Sequence, residues 1–124
     1  MFAEVKESLP VMGDDYDAQI IREIKACALD LTTSTEIVLP GEISITRSQD
    51  PQTSAWTVTD SSTLKDELIT TAISIWCNMR IGNPPNYEQL LRAYESLKGQ
   101  MRLSSHYNRE QPEGGAEDEE AGQL

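Results

Sequence analysis

Two apolar stripes at helical spacing, separated by a segment that no helix can contain, constrain this chain more than any other feature. The first stripe lies within residues 62–80 and the second within residues 86–103. Between them stands Gly82-Asn83-Pro84-Pro85, which ends a helix because proline lacks the backbone N–H and clashes with the preceding turn. Asn86 is the expected N-cap of the second helix. Since the break is short, the sequence predicts two helices packed as an antiparallel hairpin.

A further helix is expected before this hairpin, over residues 15–33. Its apolar positions recur with the spacing of one helix face, and Asp14 and Asp15 stand where an acidic N-cap would lie. Residues 2–9 also fit a short helix, ended by Pro10. The stripes together predict the buried core of the domain, which comprises Ile20, Ile24, Leu68, Ala72, Ile75, Trp76, Leu90, Leu91, Tyr94 and Leu97.

The segment 36–59 has a different pattern. Residues 36–39 and 42–46 fit two short extended pieces around a Pro40-Gly41 turn, and residues 56–59 fit one more short strand after a polar loop. Such an insertion either packs on its own domain or reaches a neighbour. An isolated two-stranded hairpin is marginal in water, and three helices already supply a core. We therefore expect this segment to contact an adjacent subunit through Ile37, Val38, Leu39, Ile43 and Ile45.

These patterns predict a mostly α fold. It is a small bundle of three main helices, with a C-terminal helical hairpin and a short β-hairpin or extended arm inserted after the first long helix. The chain has 124 residues, enough for one domain, which we place at residues 1–108. Residues 109–124 carry six acidic and no further basic side chains after Arg109, so we expect an acidic, disordered tail.

The charge balance disfavours nucleic-acid binding. The chain has 21 acidic and 10 basic residues, a formal net charge of −11, whereas neutralising DNA phosphates requires clustered Lys and Arg. No apolar run approaches the roughly 20 residues of a membrane span, and residues 1–10 lack the apolar stretch of a signal peptide. We expect a soluble protein from a reducing compartment.

No residue set in the sequence predicts catalysis, a metal site or a cofactor. Cys27 and Cys77 lie among apolar neighbours and are expected to be buried free thiols. The single histidine, His106, follows the last helix, whereas both cysteines occupy apparent core positions on other helices, so a catalytic pair is not expected. The acids near Asp14 lack the glycine and distal Glu of a calcium loop. The sequence therefore predicts a protein that is not an enzyme.

The C-terminal part of the chain resembles a known family. The segments Thr71–Met79, Ile81–Pro85 and Tyr87–Leu103 resemble the small DNA-packaging, or head–tail connector, proteins of long-tailed bacteriophages. The helix that follows Asp14 also fits the family's plan. The resemblance covers about residues 1–108, rests mostly on the helical hairpin and includes no single invariant motif. The acidic tail lies outside it.

The resemblance implies a structural subunit that forms a homo-oligomeric ring, usually a dodecamer, in the neck of the virion. Such a ring docks on the portal protein after genome packaging, extends the DNA channel and offers a surface to a tail terminator or stopper protein. Genomic DNA passes through without sequence-specific binding, and no membrane is involved. The subunit is made in the cytoplasm of the bacterial host. The alternative from another class is a monomeric acidic interaction module, either a DNA mimic or an inhibitor of a host protein.

Overall fold

The computed structural model describes residues 1–11, 13–81 and 84–104. It is mostly helical, with four helices and one antiparallel pair of strands between the second and third helices, as the sequence predicted. In chain order the elements are α1 (Phe2–Glu7), α2 (Asp17–Ser34), β1 (Ile45–Gln49), β2 (Trp56–Asp60), α3 (Glu67–Arg80) and α4 (Tyr87–Leu103).

Helix α3 is the centre of the bundle, because α1, α2 and α4 all pack against it. Its residues Ile69, Ala72, Ile73 and Cys77 have no solvent-exposed surface. The end of α1 is held to α3 by Asn78, whose side-chain amide donates to the Ser8 carbonyl at 3.2 Å. A helix covered on several sides needs a wide apolar surface, which the apolar stripe within residues 62–80 supplies.

The predicted start of α3 was five residues too early. Residues 61–66 are extended, since the backbone N–H groups of Thr63 and Leu64 donate to the Glu42 carbonyl at 2.9 and 3.1 Å. The helix then begins after Asp66, whose Oδ1 accepts a hydrogen bond from the Ile69 N–H at 3.0 Å. Asp66 is therefore a side-chain N-cap, and pairing with a distant segment decides where the helix can start.

The predicted N-cap of α2 is wrong, whereas Asn86 occupies the N-cap position of α4 as predicted. Tyr16 occupies the N-cap position of α2 and makes no side-chain capping bond, and the Asn86 side chain makes none at α4. Asp14 and Asp17 instead pair with Lys6 of α1, with oxygen–nitrogen distances of 3.2 and 2.8 Å. These acids therefore hold α1 against the start of α2.

The strand pairing also differs from the sequence-based prediction. The hairpin does not turn at Pro40-Gly41, because β1 begins at Ile45 and extends into the predicted polar loop. Gly41 is needed for another reason, since a Cβ atom there would lie 2.6 Å from the Leu64 Cα. The strands pair from Ile45↔Asp60 to Gln49↔Trp56 without a bulge. The predicted strand at residues 56–59 corresponds to β2.

The residues predicted to form the core are only partly buried as a group. Ile20, Ile24, Ala72 and Tyr94 are at most 2% exposed, whereas Leu91 is 38% exposed, so its placement in the core was wrong. Helix α4 packs on one side only, which leaves Leu91 on its outer face. The remaining predicted core residues are half-buried at the edge of the core and comprise Leu68, Ile75, Trp76, Leu90 and Leu97.

Candidate assembly surface

The β-hairpin extends beyond the helical body. Pairing continues past the strands toward the body, where the Ser61 N–H donates to the Ser44 carbonyl at 2.8 Å and the Thr63 N–H to the Glu42 carbonyl at 2.9 Å. The paired segment therefore begins at Glu42 and Thr63. From Glu42 to Gln49 it spans about 26 Å at the usual rise of a strand.

The base of the hairpin is fixed to the body by one apolar and one charged residue. Ile45 is 1% exposed and belongs to the core. The Asp60 carboxylate accepts hydrogen bonds from the Phe2 N–H at 2.7 Å and the Ser62 N–H at 3.0 Å, and it contacts the Met1 ammonium at 2.9 Å. Burial alone raises the pKa of Asp60, but the bonds from Ser62 and Phe2 and the ammonium outweigh it and hold the pKa well below its usual range.

The outer part of the hairpin has few contacts with the body. Beyond Ile45, only Arg47 and Val58 are half-buried, and the other strand residues are exposed. The Arg47 guanidinium stacks on the Trp56 ring, 3.8 Å from its centroid, yet Trp56 remains 48% exposed. The opposite face of the hairpin is a patch of hydroxyl side chains, made by Thr46, Ser48, Thr57 and Thr59. Exposed tryptophans are uncommon on surfaces that contact only water and are enriched at interfaces.

The turn of the hairpin is ordered by Asp50. Its backbone N–H donates to the Ala55 carbonyl at 2.8 Å, and its Oδ1 accepts from the N–H groups of Gln52 and Thr53 at 2.7 and 3.2 Å. Ser54 has a φ of 64°, a conformation that a short turn often requires of one residue. The hairpin is therefore defined by its own hydrogen bonds as far as its tip.

The predicted interface residues fall into two groups. Ile37 and Ile45 are each 1% exposed within the single subunit, so their assignment to an interface was wrong. Leu39 and Ile43 are half-buried, and Val38 is 47% exposed. The apolar excess in this segment is thus partly absorbed by the subunit's own core. The alternation of apolar residues could not predict this, because it does not say which body a strand packs against.

A shallow groove of about 420 Å³ lies where Leu39 and Ile43 meet helix α2. Leu29, on the α2 side, is 63% exposed, and Lys25 and Glu42 contribute one charge of each sign to the lining. The groove is wide open to solvent and partly apolar. Such a surface can contact another protein but does not enclose a small molecule.

A cluster of polar side chains lies between α2 and α4. The Tyr94 hydroxyl donates to Asp30 Oδ2 at 2.6 Å, and the Lys98 ammonium donates to the same oxygen at 3.1 Å. Lys98 is only 7% exposed, although lysines are almost never fully buried without a partner. This pair was not predicted from the sequence. The position of Lys98, four residues after Tyr94 on the same apolar stripe, could have indicated that the lysine is buried.

The two cysteines are buried and unpaired, as expected from their apolar neighbours. Burial raises the pKa of the Cys27 thiol to about 12, although the contact of its sulfur with the Tyr94 hydroxyl at 3.6 Å opposes the shift. Burial likewise raises the pKa of Cys77. Both thiols are therefore protonated at neutral pH, and a protonated thiol is a weak nucleophile and a weak metal ligand.

Within residues 1–11, 13–81 and 84–104, no group of three or more His, Cys, Asp or Glu side chains is placed to bind a metal ion. In the same part of the chain, no helix is long and apolar enough to cross a membrane. His106 and the acidic tail, residues 109–124, lie outside the described residues, as does the Gly82-Asn83 part of the predicted turn.

Comparisons with models of protein families, with curated proteins and with solved structures find no match for this chain.

Proposed function

We propose that this chain is a structural subunit of a bacteriophage neck ring. In this function it docks under the portal vertex, extends the DNA channel and joins the head to the tail after genome packaging. The proposal combines the resemblance of the C-terminal helices to head–tail connector proteins with one structural observation. That observation is the hairpin, which leaves the helical body and carries a tryptophan, Trp56, that remains 48% exposed although Arg47 stacks on its ring.

The helical body suits a subunit that is completed by its neighbours. Large apolar side chains remain exposed at several places on its surface, namely Leu29, Val38, Tyr87 and Leu91 in addition to Trp56. Leu29 lines the groove beside α2 and Val38 lies in the segment that follows this helix, whereas Tyr87 and Leu91 lie on the outer face of α4. Contacts on two separate surfaces are what a cyclic assembly requires, because each subunit contacts two neighbours through different patches.

The distribution of charge favours the ring over a monomeric DNA mimic. A mimic needs a rigid array of acids that reproduces the spacing of phosphates. In the described residues, many acids instead lie beside a base, as Asp30 and Glu95 do beside Lys98, at 3.1 and 3.7 Å, and Glu88 beside Arg92, at 3.9 Å. These pairs neutralise part of the helix surfaces, and six of the 21 acids lie in residues 110–124 instead of on the helices.

The mass of the chain in solution, alone and mixed with the portal protein of the phage that the proposal implies, tests the proposal. We expect a ring-sized species that co-migrates with portal rings. Electron microscopy should place it on the tail-facing side of the portal. A chain that stays monomeric alone and does not bind portal rings would contradict the proposal. Binding by such a monomer to a host nucleic-acid-binding protein would support the alternative.

A further inference from the structure

The two strands of the hairpin have outward-facing backbone groups that can be assigned residue by residue. In an antiparallel pair, hydrogen-bonded residue pairs alternate with pairs whose N–H and C=O groups point outward. The bonds from Ser61 to Ser44 and from Asp50 to Ala55 fix the phase of this alternation. The outward-facing residues are therefore Ile45, Arg47 and Gln49 on β1, and Trp56, Val58 and Asp60 on β2.

Ile45 is buried against the body, but from Arg47 onward on β1, and along β2, neither edge is occupied within the described residues. The backbone hydrogen bonds outside the helices and the strand pair include none from the N–H or C=O groups of these six residues, and the sheet has only two strands. Natural sheets usually protect an open edge with proline, lysine or a bulge. Neither strand contains proline or lysine, and their register has no bulge. The two charged side chains of the strands are engaged within the subunit, Arg47 on the Trp56 ring and Asp60 on the Phe2 N–H and the Met1 ammonium, so the edge remains a template for another strand.

The charges on the strands indicate which edge another copy would use. Pairing two β1 edges in full register about Arg47 sets one guanidinium opposite the other, and like charges directly opposite are destabilising. Strand β2 contains no cation and carries Asp60. The β1 edge is therefore compatible with the β2 edge of a second copy. A pair of β2 edges would avoid the repulsion but would leave both β1 edges open.

We infer that the β1 edge of each subunit pairs with the β2 edge of the next, so that the hairpins of successive copies form one continuous sheet. This inference rests on the proposed function and names its subunit contact. A contact between two different patches is head-to-tail, and it closes into a ring when the rotation between copies divides the circle. Closure leaves no edge open, which explains how the strands can do without protective residues.

The substitution Val58→Pro tests the contact. The Val58 N–H points outward, so proline there removes an edge donor without breaking a bond inside the hairpin, which is where strands tolerate proline. Val58→Ala is the matched control, because it shortens the same side chain and keeps the N–H. We expect Val58→Pro to stay monomeric in the conditions where the wild-type and Val58→Ala chains assemble. Circular dichroism should show the same helix content in all three chains.

Hydrogen exchange of the wild-type chain provides a second measurement that does not depend on any variant. The amides of Gln49 and Val58 should exchange more than about tenfold slower in the assembly than in the monomer. Those of Thr46 and Thr59, already bonded within the hairpin, should change less. Val58→Pro rings of wild-type size, or equal exchange of Gln49 and Val58 in both states, would overturn the edge contact and leave the proposed ring intact. A wild-type chain that never assembles, even on portal, would overturn both.

Discussion

Lys98 lies on the packed face of α4, where its ammonium contacts Asp30 of α2 and Glu95 of its own helix. The Tyr94 hydroxyl shares the Asp30 oxygen, so one carboxylate joins two helices through two donors. Burial and the hydrogen bond to Asp30 both raise the pKa of Tyr94, so its hydroxyl is protonated and donates at neutral pH. This cluster fixes the rotation of α4 against α2 more specifically than apolar contacts do.

Replacing Lys98 by methionine should lower the free energy of unfolding by about 1–3 kcal/mol, because Asp30 loses a charge-assisted partner while remaining partly buried. Lys25→Met, a change of the same side chain at an exposed position of α2, should cost no more than about 0.5 kcal/mol. Urea unfolding measures both. An equal cost at the two positions would mean that the Lys98–Asp30 pair contributes no specific stability.

Trp76 lies at the edge of the core and makes three different contacts. Its indole N–H donates to Glu23 at 2.9 Å, the Arg80 guanidinium lies 4.4 Å from its ring centroid, and the Tyr94 ring lies 5.4 Å away. Since the side chain is half-buried, Trp76→Ala should cost near the lower end of the about 3–5 kcal/mol typical of buried aromatics. Trp76→Phe, measured in the same unfolding assay, separates loss of the indole bond from loss of the ring.

Asp60 makes the base of the hairpin sensitive to acid. Its pKa is lower in the folded chain than in the unfolded chain, so its contribution to stability is present above the unfolded pKa of about 3.9 and is lost as the pH falls below that value. In Asp60→Asn, the free energy of unfolding should therefore fall less than in the wild-type chain as the pH drops below about 4. The exposed Asp15→Asn serves as control. If Asp60→Asn loses as much unfolding free energy at low pH as the wild-type chain does, other carboxylates cause the acid sensitivity.

At the scale of elements, the hairpin has two parts with different roles. Its base belongs to the folding unit, since Ile45 is in the core and Asp60 binds the backbone of α1. Deleting residues 38–46 would therefore remove a core residue and damage the body as well as the arm. The distal part, from Arg47 to Val58, contributes little to the core and is free to serve another subunit.

A shortened hairpin should separate assembly from folding. Replacing residues 47–58 by Asn-Gly would connect Thr46 to Thr59 through a two-residue turn. Thr46 and Thr59 form a hydrogen-bonded pair, which suits such a turn. Thermal unfolding should then remain cooperative, while rings fail to form in sedimentation experiments. Rings of normal size from this variant would place the subunit contact on the helices instead.

At the scale of the whole molecule, charge is distributed unevenly along the chain. Residues 1–109 contain 15 acids and 10 bases, and the remaining six acids all lie in residues 110–124. A ring of such tails would concentrate negative charge at one rim, which is unfavourable unless a basic surface lies opposite. Many weak contacts acting together would then give firm attachment.

Truncation after Asn108 should weaken binding of the ring to portal and reduce its dependence on salt, because the contacts of the tail are electrostatic. Replacing the six acids of the tail by Gln and Asn is the matched variant, since it keeps the length and removes the charge. Binding across a salt series measures the effect. Affinity and salt dependence that both stay at the wild-type level would assign the tail a solubilising role only.

The sequence by itself determined the class of fold and the main helices. The apolar stripes and the proline break are local signals, and they predicted α2, α3 and α4 because helix formation depends on neighbours three and four residues away. Composition and spacing also predicted two buried thiols. For these helices and thiols, the tertiary contacts and the local sequence preferences favour the same structure.

Only the tertiary structure decided where the apolar residues of the middle segment are buried and which strands pair. Ile37 and Ile45 enter the subunit's own core, β1 begins at Ile45, and α3 starts at Glu67 because the residues before it pair with Glu42. Lys98 is buried because Asp30, 68 residues away, lies opposite. Each of these outcomes depends on which distant segments meet, and a pattern of period two or 3.6 carries no information about that partner.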